Sequence, residues 1–261
     1  MIDFPLCYHQ GLRREDFLAN VLIFIPSRFA STRFPGKPLA PIAGKSMVRR
    51  VYENAAAGDY RAVVVTDDSR IEEHVKGFGG LVARVDDDVA SGTERVYLAW
   101  KRHYGNEKVD LVLNFQGDEP LLIFPHIKKM VDAHLNSKFD IMTIVKKRTD
   151  LEGMGNPNLV KAVFVEHNGR CPYFSRAGVP FPREQTAHPV WFQHLGIYSY
   201  RPAVLDAFCK TPEGPLEKIE RLEQLRALEM GMTIGAVCVE GEFASVDTPE
   251  DVLIVEKKLR H

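Results

Sequence analysis

From residue 21 onward the chain alternates strand-like and helix-like segments, and this alternation limits the folds that are open to it. Runs of apolar residues bounded by polar turns are typical of parallel strands whose two faces are covered by helices. The strand-like runs are VLIFIP (21–26), AVVVTD (62–67), LVARV (81–85) and DLVLNFQ (110–116). The predicted helices between them lie at 46–57, 69–77, 93–103 and 125–135. The sequence therefore predicts an α/β fold of the nucleotide-binding type, with a doubly wound, mostly parallel sheet.

After residue 140 the strand-like segments become shorter and are joined by turns rich in Pro and Gly. They are IMTIVKKR (141–148), VKAVFVEHNG (160–169), CPYFSRAGVPF (171–181) and HLGIYSYRP (194–202). We predict that residues 140–214 form a smaller mixed-sheet insertion, which carries substrate specificity or dimer contacts.

The chain then returns through a predicted helix at 215–229, the strand TIGAVCVE (233–240) and a last helix at 249–259. Residues 1–20 precede the alternating pattern and are predicted to be an N-terminal extension, with a short helix over 12–20. Residues 21–261 are predicted to form a single domain.

Charge and composition disfavour several classes of protein. Lys plus Arg number 34 and Asp plus Glu 35, whereas a nucleic-acid binder usually has a basic excess. No apolar run approaches the roughly 20 residues of a membrane span, and no signal peptide is recognisable. We expect a cytoplasmic protein. Its cysteines are too scattered for a CxxC-type zinc or redox site: Cys7, Cys171, Cys209 and Cys238.

The first strand runs into a basic loop, SRFASTRFPGKPL (27–39). Its cations, Arg28, Arg33 and Lys37, stand among small residues such as Ser27, and this combination suits a polyphosphate. A nucleoside triphosphate is the first ligand to consider, although the same residues are compatible with a solvated basic loop. The nearby AGKS (43–46) is not a P-loop, because the required glycine is absent at position 39.

Two aspartates follow strands and could share a cation. Asp118, in NFQGDEP (114–120), lies where ligands bind open α/β sheets, and Asp247 precedes the last predicted helix. Mg²⁺ is typically held by one or two carboxylates together with phosphate oxygens. A plain turn at Asp118 and a helix N-cap at Asp247 are the structural alternatives.

The segment SGTER (91–95) opens a predicted helix. The backbone N–H groups and hydroxyls of Ser91, Gly92 and Thr93 could bind a phosphate or a base edge. Without other support, such a pentapeptide is more often a capping box.

Together, several motifs resemble one known family. PSRFASTRFPGKPL, ASGTER, NFQGDEP, NPNLVKAV, YFSRAGVPF, HLGIYSYRP, PLEKIERLEQLRALE and VDTPEDV follow one another over residues 26–252. In this order they resemble the 3-deoxy-manno-octulosonate cytidylyltransferase (CMP-Kdo synthetase) family. The resemblance implies activation of an acidic eight-carbon sugar by CTP for lipopolysaccharide synthesis, with release of pyrophosphate. It also implies a nucleotide-diphospho-sugar transferase-like fold and a homodimer.

The resemblance also implies roles for individual residues. Arg28 and Lys37 would hold the triphosphate and, with Asp118, form the catalytic group. Ser27 and the SGTER segment, with Ser91, Gly92 and Thr93, would complete the nucleotide site. Asp118 and Asp247 would bind Mg²⁺. The residues implied to line the sugar site are Gln116, Arg176, His194, Tyr198 and Glu220.

The sequence departs from the family pattern at two places. Asp88 is followed by Val89 where relatives carry histidine, and Gln193 replaces the usual arginine before the HLGIY motif. Loss of two cationic groups would suit the 8-amino-3,8-dideoxy sugar, whose ammonium group positive charge would repel. The unmodified sugar remains the main expectation and the amino sugar the alternative.

Two further functions are weaker alternatives. One is a nucleotide-binding paralogue without catalysis, and the other is a cytidylyltransferase for a different acidic sugar such as a sialic acid. The complete set of Arg28, Lys37, Asp118 and Asp247 favours catalysis. HLGIYSYRP and LEQLRALE favour the octulosonate branch.

Overall fold

The computed structural model describes residues 19–30, 33–184 and 188–260. Strands within these ranges are β1 Val21–Pro26, β2 Pro41–Ile42, β3 Lys45–Ser46, β4 Arg61–Thr66, β5 Val82–Arg84, β6 Leu111–Phe115, β7 Ile141–Arg148, β8 Lys161–Val165, β9 Arg170–Ser175, β10 Trp191–Tyr200 and β11 Ile234–Val239. Helices are α1 Met47–Ala55, α2 Ser69–Gly77, α3 Gly92–Tyr104, α4 Phe124–Leu135, α5 Leu151–Gly155, α6 Pro202–Lys210, α7 Pro215–Glu220, α8 Glu223–Glu229 and α9 Pro249–Leu259. The predicted helix at 12–20 lies almost wholly outside the described residues.

Nine of the described strands form one sheet, which contains both parallel and antiparallel pairs. The order is β5, β4, β1, β6, β10, β7, β11, β9, β8. From β5 to β6 all strands are parallel, as the alternation of strands and helices predicts. Strand β10 then pairs antiparallel with both β6 and β7, and β9 pairs antiparallel with β11 and β8. The α/β prediction is confirmed, but the sheet is mixed rather than mostly parallel.

The second half of the chain joins this sheet directly. Residues 140–214 supply β7 to β10, and β10 lies between β6 and β7 in the centre of the sheet. The short turns of this region therefore connect strands of the main sheet. A role of this region in dimer contacts stays a prediction.

Helices cover both faces of the sheet because the strands are apolar on both faces. In β1, Ile23 and Ile25 pack into a core beneath α1, α2, α4 and α9. The alternate residues Leu22 and Phe24 pack into a second core beneath α3, α6 and α8. All four of these side chains are fully buried, which explains why the strand has no polar position.

The predicted helix at 215–229 is in fact two helices. Arg221 adopts the left-handed region with φ 52° and ψ 50°, so α7 ends there and α8 begins after Leu222. An uninterrupted amphipathic helix would bury Leu216, Ile219, Leu222 and Leu225. Only Leu222 and Leu225 are buried, while Leu216 and Ile219 are exposed. The break therefore turns the residues between the two helices toward a cavity described below.

Candidate functional site

Two adjoining cavities open where β1 and β6 end. The first, called here the basic cavity, has a volume of about 340 Å³ and is lined by Arg28, Arg33, Lys37 and Arg95, with Asp118. The second, called here the acidic cavity, has a volume of about 260 Å³ and its lining includes Glu119 and Glu223. Gln116, directly after β6, lines both cavities. The site therefore lies at the carboxyl edge of the parallel strands, as predicted.

The local backbone brings the basic loop against the end of β6. Gly36 has φ 74°, and this left-handed turn starts a 3-10 helix at Lys37–Leu39 that directs the lysine inward. A Cβ atom at Gly117 would lie 2.7 Å from the carbonyl oxygen of Pro26. A glycine at 117 therefore permits β1 and the loop after β6 to meet closely.

Lys37 connects the two aspartates that were predicted to bind metal. Its Nζ atom lies 2.9 Å from Asp118 Oδ2 and 3.6 Å from Asp247 Oδ1, and donates to the Val246 carbonyl at 2.7 Å. The Val246 N–H donates to the Asp118 carbonyl, which fixes the two loops together. Arg33 pairs at 2.9 Å with the same Oδ1 atom of Asp247. Both carboxylates thus lie close to the Lys37 ammonium group, and Asp118 also lines the basic cavity, whereas Asp247 is not among its described lining residues.

This pair of carboxylates fits Mg²⁺ only if phosphate oxygens complete the coordination. Among the described residues no cluster of three or more His, Cys, Asp or Glu could hold a metal ion. Two carboxylates plus nucleotide phosphates are a usual set of ligands for Mg²⁺. The N-cap alternative for Asp247 is wrong, because Thr248 caps α9 in a capping box with Asp251. The Asp247 carboxylate instead pairs with Arg33 and Lys37, and its binding of Mg²⁺ stays a prediction.

The three SGTER residues that were predicted to bind nucleotide have different surroundings. Ser91 caps α3 by accepting from the Glu94 N–H, and Gly92 lines the basic cavity. Thr93 is buried and accepts a hydrogen bond from Asn114 Nδ2 at 3.0 Å, away from the cavity surface.

Arg95, the last residue of the same motif, was not predicted as a site residue. Its side chain is 3% exposed, pairs with Asp67 at 3.0 Å, donates to the Val85 carbonyl and lines the basic cavity. Burial lowers the pKa of Arg95, and the nearby charge of Arg28 lowers it further. The only signal in the sequence was its place in the motif, since an arginine on an amphipathic helix is normally solvent-exposed.

Three of the five residues predicted for the sugar site line the acidic cavity: Gln116, His194 and Tyr198. Arg176 and Glu220 instead bind each other and the backbone. The Glu220 carboxylate accepts from the Ser175 hydroxyl and from the Arg176 N–H, both at 2.7 Å. The Arg176 guanidinium donates to the carbonyls of Pro157, Glu220 and Arg221. In this conformation both side chains stabilise the chain beside the cavity, and their contact with a sugar stays a prediction.

His194 is a neutral residue of the cavity wall. Burial lowers its pKa to about 3, and Nε2 lies 2.9 Å from the Thr143 hydroxyl. Its ring packs against those of Phe174 and Tyr198. An uncharged imidazole can orient a sugar hydroxyl, but it adds no positive charge to the site.

Several polar residues of the acidic cavity were missed by the sequence analysis. Glu119 Oε2, Glu223 Oε2 and Gln224 Nε2 are buried atoms that have no hydrogen-bond partner among the described residues. Burial, and then the charges of Asp118 and Asp247, raise the pKa of Glu119 to about 8. Polar atoms buried without partners are costly, and a bound ligand or a water molecule can supply the missing partner. The sequence could not show the burial of the Glu223 and Gln224 atoms, which follow the break between α7 and α8.

The two departures from the family pattern are also separated in space. Gln193 lines the acidic cavity, and its side-chain oxygen accepts from Arg148 at 2.9 Å. Val89 lies on the loop before α3, and it is not among the described residues that line either cavity. Only the change at Gln193 can act by direct contact with a ligand in these cavities.

The chain is similar to known proteins both in sequence and in structure. The family model described as "Cytidylyltransferase" matches residues 22–234. The 8-amino-3,8-dideoxy-manno-octulosonate cytidylyltransferase of Shewanella halifaxensis is 45% identical over 245 residues, covering 92% of this chain and 98% of that protein. The protein of the same name from Shewanella pealeana is 43% identical over the same length and coverage.

Solved structures agree with these relatives. The structure of CMP:2-keto-3-deoxy-manno-octonic acid synthetase complexed with CTP has a TM-score of 0.85 and 33% identity, and the match covers 93% of this chain and 99% of that one. A cytidylyltransferase from Leptospira borgpetersenii, 18% identical with a TM-score of 0.58, shares the fold. The chain therefore belongs to the cytidylyltransferase family and is a nucleotidyltransferase of the manno-octulosonate type.

Proposed function

We propose that this enzyme transfers the cytidylyl group of CTP to 8-amino-3,8-dideoxy-manno-octulosonate, giving the CMP-sugar and pyrophosphate. The observation that carries this proposal is the pair of cavities that meet at Gln116, one basic and one acidic. The basic cavity suits the triphosphate, and the buried carboxyl groups of the acidic cavity offer hydrogen-bond partners to the polar groups of a sugar. The Shewanella relatives named for the amino sugar support this choice over the unmodified sugar.

In the reaction, the anomeric hydroxyl of the sugar attacks the α-phosphorus of CTP. A new phosphorus–oxygen bond forms, the bond to the bridging oxygen breaks, pyrophosphate leaves and the hydroxyl proton passes to water. This transfer depends mainly on alignment of the two reactants and neutralisation of the phosphate charge, and less on covalent chemistry by the protein. Gln116 lies at the junction where the two substrates would meet, so it is placed to orient the attacking end of the sugar.

The cations of the basic cavity would neutralise the triphosphate. Arg28 and Lys37 line the cavity on the loop after β1, and Arg95 lines it from α3. Asp118 and Asp247 would hold Mg²⁺ together with phosphate oxygens. When bound, the ion would withdraw charge from the phosphates and lower the pKa of a coordinated hydroxyl. No residue is assigned as a general base.

The homodimer, the cytoplasmic location and the role in lipopolysaccharide synthesis also belong to this proposal, and rest on the family resemblance. Within the described ranges, no helix is both long enough and apolar enough to cross a membrane.

Pyrophosphate release tests the proposed function. The purified enzyme is supplied with CTP, Mg²⁺ and either the 8-amino sugar or the unmodified sugar, while ATP, GTP and UTP replace CTP as controls. We expect CTP-dependent release with a kcat/KM at least ~10-fold higher for the amino sugar, the discrimination that one charge-assisted hydrogen bond provides. A higher kcat/KM for the unmodified sugar would contradict the proposed choice of substrate. If the enzyme turns over neither sugar, the proposed function itself is wrong.

A further inference from the structure

A lysine side chain is completely buried beside the acidic cavity. Lys161 is the first residue of β8, and none of its surface is exposed to solvent. Within the described ranges it forms no salt bridge, and its Nζ atom donates instead to the backbone carbonyls of Asn156 at 2.8 Å, Leu159 at 2.7 Å and Arg176 at 2.6 Å. Because an ammonium group has three hydrogen atoms, all of its donors are used.

A charge buried in this way is costly. An ammonium group loses its hydration on burial, and neutral carbonyls compensate for that loss less fully than a carboxylate does. Burial, and then the charge of Arg176, lowers the pKa of Lys161, as this cost requires. An apolar side chain would fill the same space without a desolvated charge, but it would leave the three carbonyls without this donor. The charge is thus tied to the conformation of those carbonyls.

Two of the carbonyls belong to the loop before β8, which forms one wall of the acidic cavity. The residues of this loop that line the cavity are Asn158, Leu159 and Val160. Two more carbonyls of the loop are also bonded, because Pro157 accepts from the Arg176 guanidinium and Val160 accepts from the His194 N–H at 2.8 Å. The third carbonyl that Lys161 binds, that of Arg176, directly follows β9. Lys161 therefore connects the cavity wall to the end of a strand.

On the basis of the function proposed above, which puts the sugar in the acidic cavity, we propose that Lys161 is a positioning residue for sugar binding. Its ammonium group holds the loop at 156–160 against the end of β9, so the wall of the cavity is formed before the sugar arrives. Lys161 is not among the described residues that line either cavity, so it acts through the loop. A loop that is already ordered lowers the cost of binding, and the effect falls on sugar affinity rather than on the chemical step.

Lys161→Met tests this role, because it keeps most of the length and the apolar stem of the side chain and removes its donors. We expect KM for the sugar to rise about tenfold, while kcat and KM for CTP change less than ~3-fold. Lys161→Gln keeps two N–H donors and should retain part of the sugar affinity. Pyrophosphate release, with each substrate varied at saturation of the other, measures these constants.

The chain offers a matched control at the end of β10. The Arg201 guanidinium also donates to three backbone carbonyls, those of His134, Ser137 and Phe139, and it lies outside the described lining of both cavities. We expect Arg201→Met to lower the melting temperature and to leave both KM values unchanged. If Lys161 were only structural, Lys161→Met would behave in the same way.

A second measurement is independent of turnover. Amide hydrogen exchange should be faster in Lys161→Gln than in the wild type for peptides that cover 154–164, and unchanged for peptides that cover β1 and β6. Equal exchange of the loop in the two proteins would show that the ammonium group does not hold it, even where Lys161→Met fails to fold.

The outcomes separate this inference from the proposed function. If both Lys161 variants keep the wild-type KM for the sugar, the positioning role is wrong while the function stands. If KM for CTP rises as much as KM for the sugar, a role confined to the acidic cavity is also wrong. If the wild-type enzyme turns over neither sugar, the proposed function has failed, and hydrogen exchange still decides whether Lys161 holds the loop.

Discussion

At the scale of single residues, Lys37 joins several polar groups at the basic cavity. Only 15% of its side chain is exposed, and its ammonium group contacts Asp118, Asp247 and the Val246 carbonyl. It neutralises the two aspartates and also supplies positive charge to a triphosphate. Removal of this one cation should therefore affect both the nucleotide and the carboxylate pair.

We expect Lys37→Met to lower kcat/KM for CTP by about 100-fold, the size usually found when one preorganised donor to a developing charge is lost. The measurement is pyrophosphate release at saturating sugar. Lys45→Met is the matched control, because Lys45 pairs with Glu53 on the surface and lies outside the described lining of both cavities. A loss below threefold in Lys37→Met would show that Lys37 does not contact the nucleotide.

A second residue-scale prediction concerns stability rather than catalysis. His134 is fully buried, between the Ser199 hydroxyl at Nδ1 and the Phe139 carbonyl at Nε2. Burial, and then the charge of Arg201, lowers its pKa from 6.5 to about 4. The folded protein therefore binds this proton less readily than the unfolded chain. The contribution of His134 to stability is complete above about pH 6.5 and is lost as the pH falls toward 4.

We expect about 2 kcal/mol of unfolding free energy to be lost between about pH 7.5 and 5 through this one residue. His134→Gln should be less stable at neutral pH and should lack that part of the pH dependence. Urea titrations at the two pH values measure the difference, with the exposed His167→Gln as control. An identical pH dependence in His134→Gln and wild type would show that His134 is not buried as a neutral group.

At the scale of elements, a buried ion pair joins α7 to α8 and so supports the acidic cavity. Arg226 Nε and one terminal nitrogen donate to the two oxygens of Glu217 at 2.6 and 2.7 Å, and about 5% of each side chain is exposed. The segment between the helices contains Arg221 and ends at Glu223. The ion pair therefore holds the residues that line the cavity.

We expect Glu217→Gln to lower the unfolding free energy by about 3 kcal/mol, because it leaves the Arg226 charge buried without its partner. It should also raise KM for the sugar and leave KM for CTP unchanged. Asp132→Asn, which breaks an exposed pair with Lys128, should cost less than about 1 kcal/mol. Urea denaturation and steady-state kinetics measure both effects. A rise in KM for CTP as large as that for the sugar would contradict a role confined to the acidic cavity.

The elements also show what the sequence could and could not predict. The helix at Ser69–Gly77 and the strand at Val21–Pro26 were predicted almost to the residue, because local periodicity and caps determine them. The helix at Pro202–Lys210 and the break at Arg221 were missed. The helix begins with a proline at its first position, a local signal that was overlooked, whereas the break depends on tertiary packing, which overrides a continuous amphipathic pattern. For the same reason the motifs located Lys37, Gln116 and Gly92 at the site but not the buried atoms of Glu119 and Glu223.

At the scale of the whole molecule, one continuous sheet carries both cavities. Strand β6 belongs to the parallel half, and its neighbour β10, which contains His194 and Tyr198, belongs to the region that was predicted as an insertion. Phe115 and Ile197 are paired across this junction and are both fully buried. The region at 140–214 therefore cannot lose its strands without exposing the centre of the sheet. This pairing between distant segments could not be predicted from local sequence patterns.

A single sheet should unfold in a single transition, and ligand binding should stabilise all of it. By linkage, CTP with Mg²⁺ at 100 times its dissociation constant should add about 2.7 kcal/mol to the unfolding free energy. At about 2 to 4 °C for each kcal/mol, the melting temperature should rise by roughly 5 to 10 °C. Scanning calorimetry with and without CTP measures the shift, and GTP is the control, with no shift expected. Two resolved transitions, only one of them shifted by CTP, would mean that residues 140–214 fold independently of the strands that form the basic cavity.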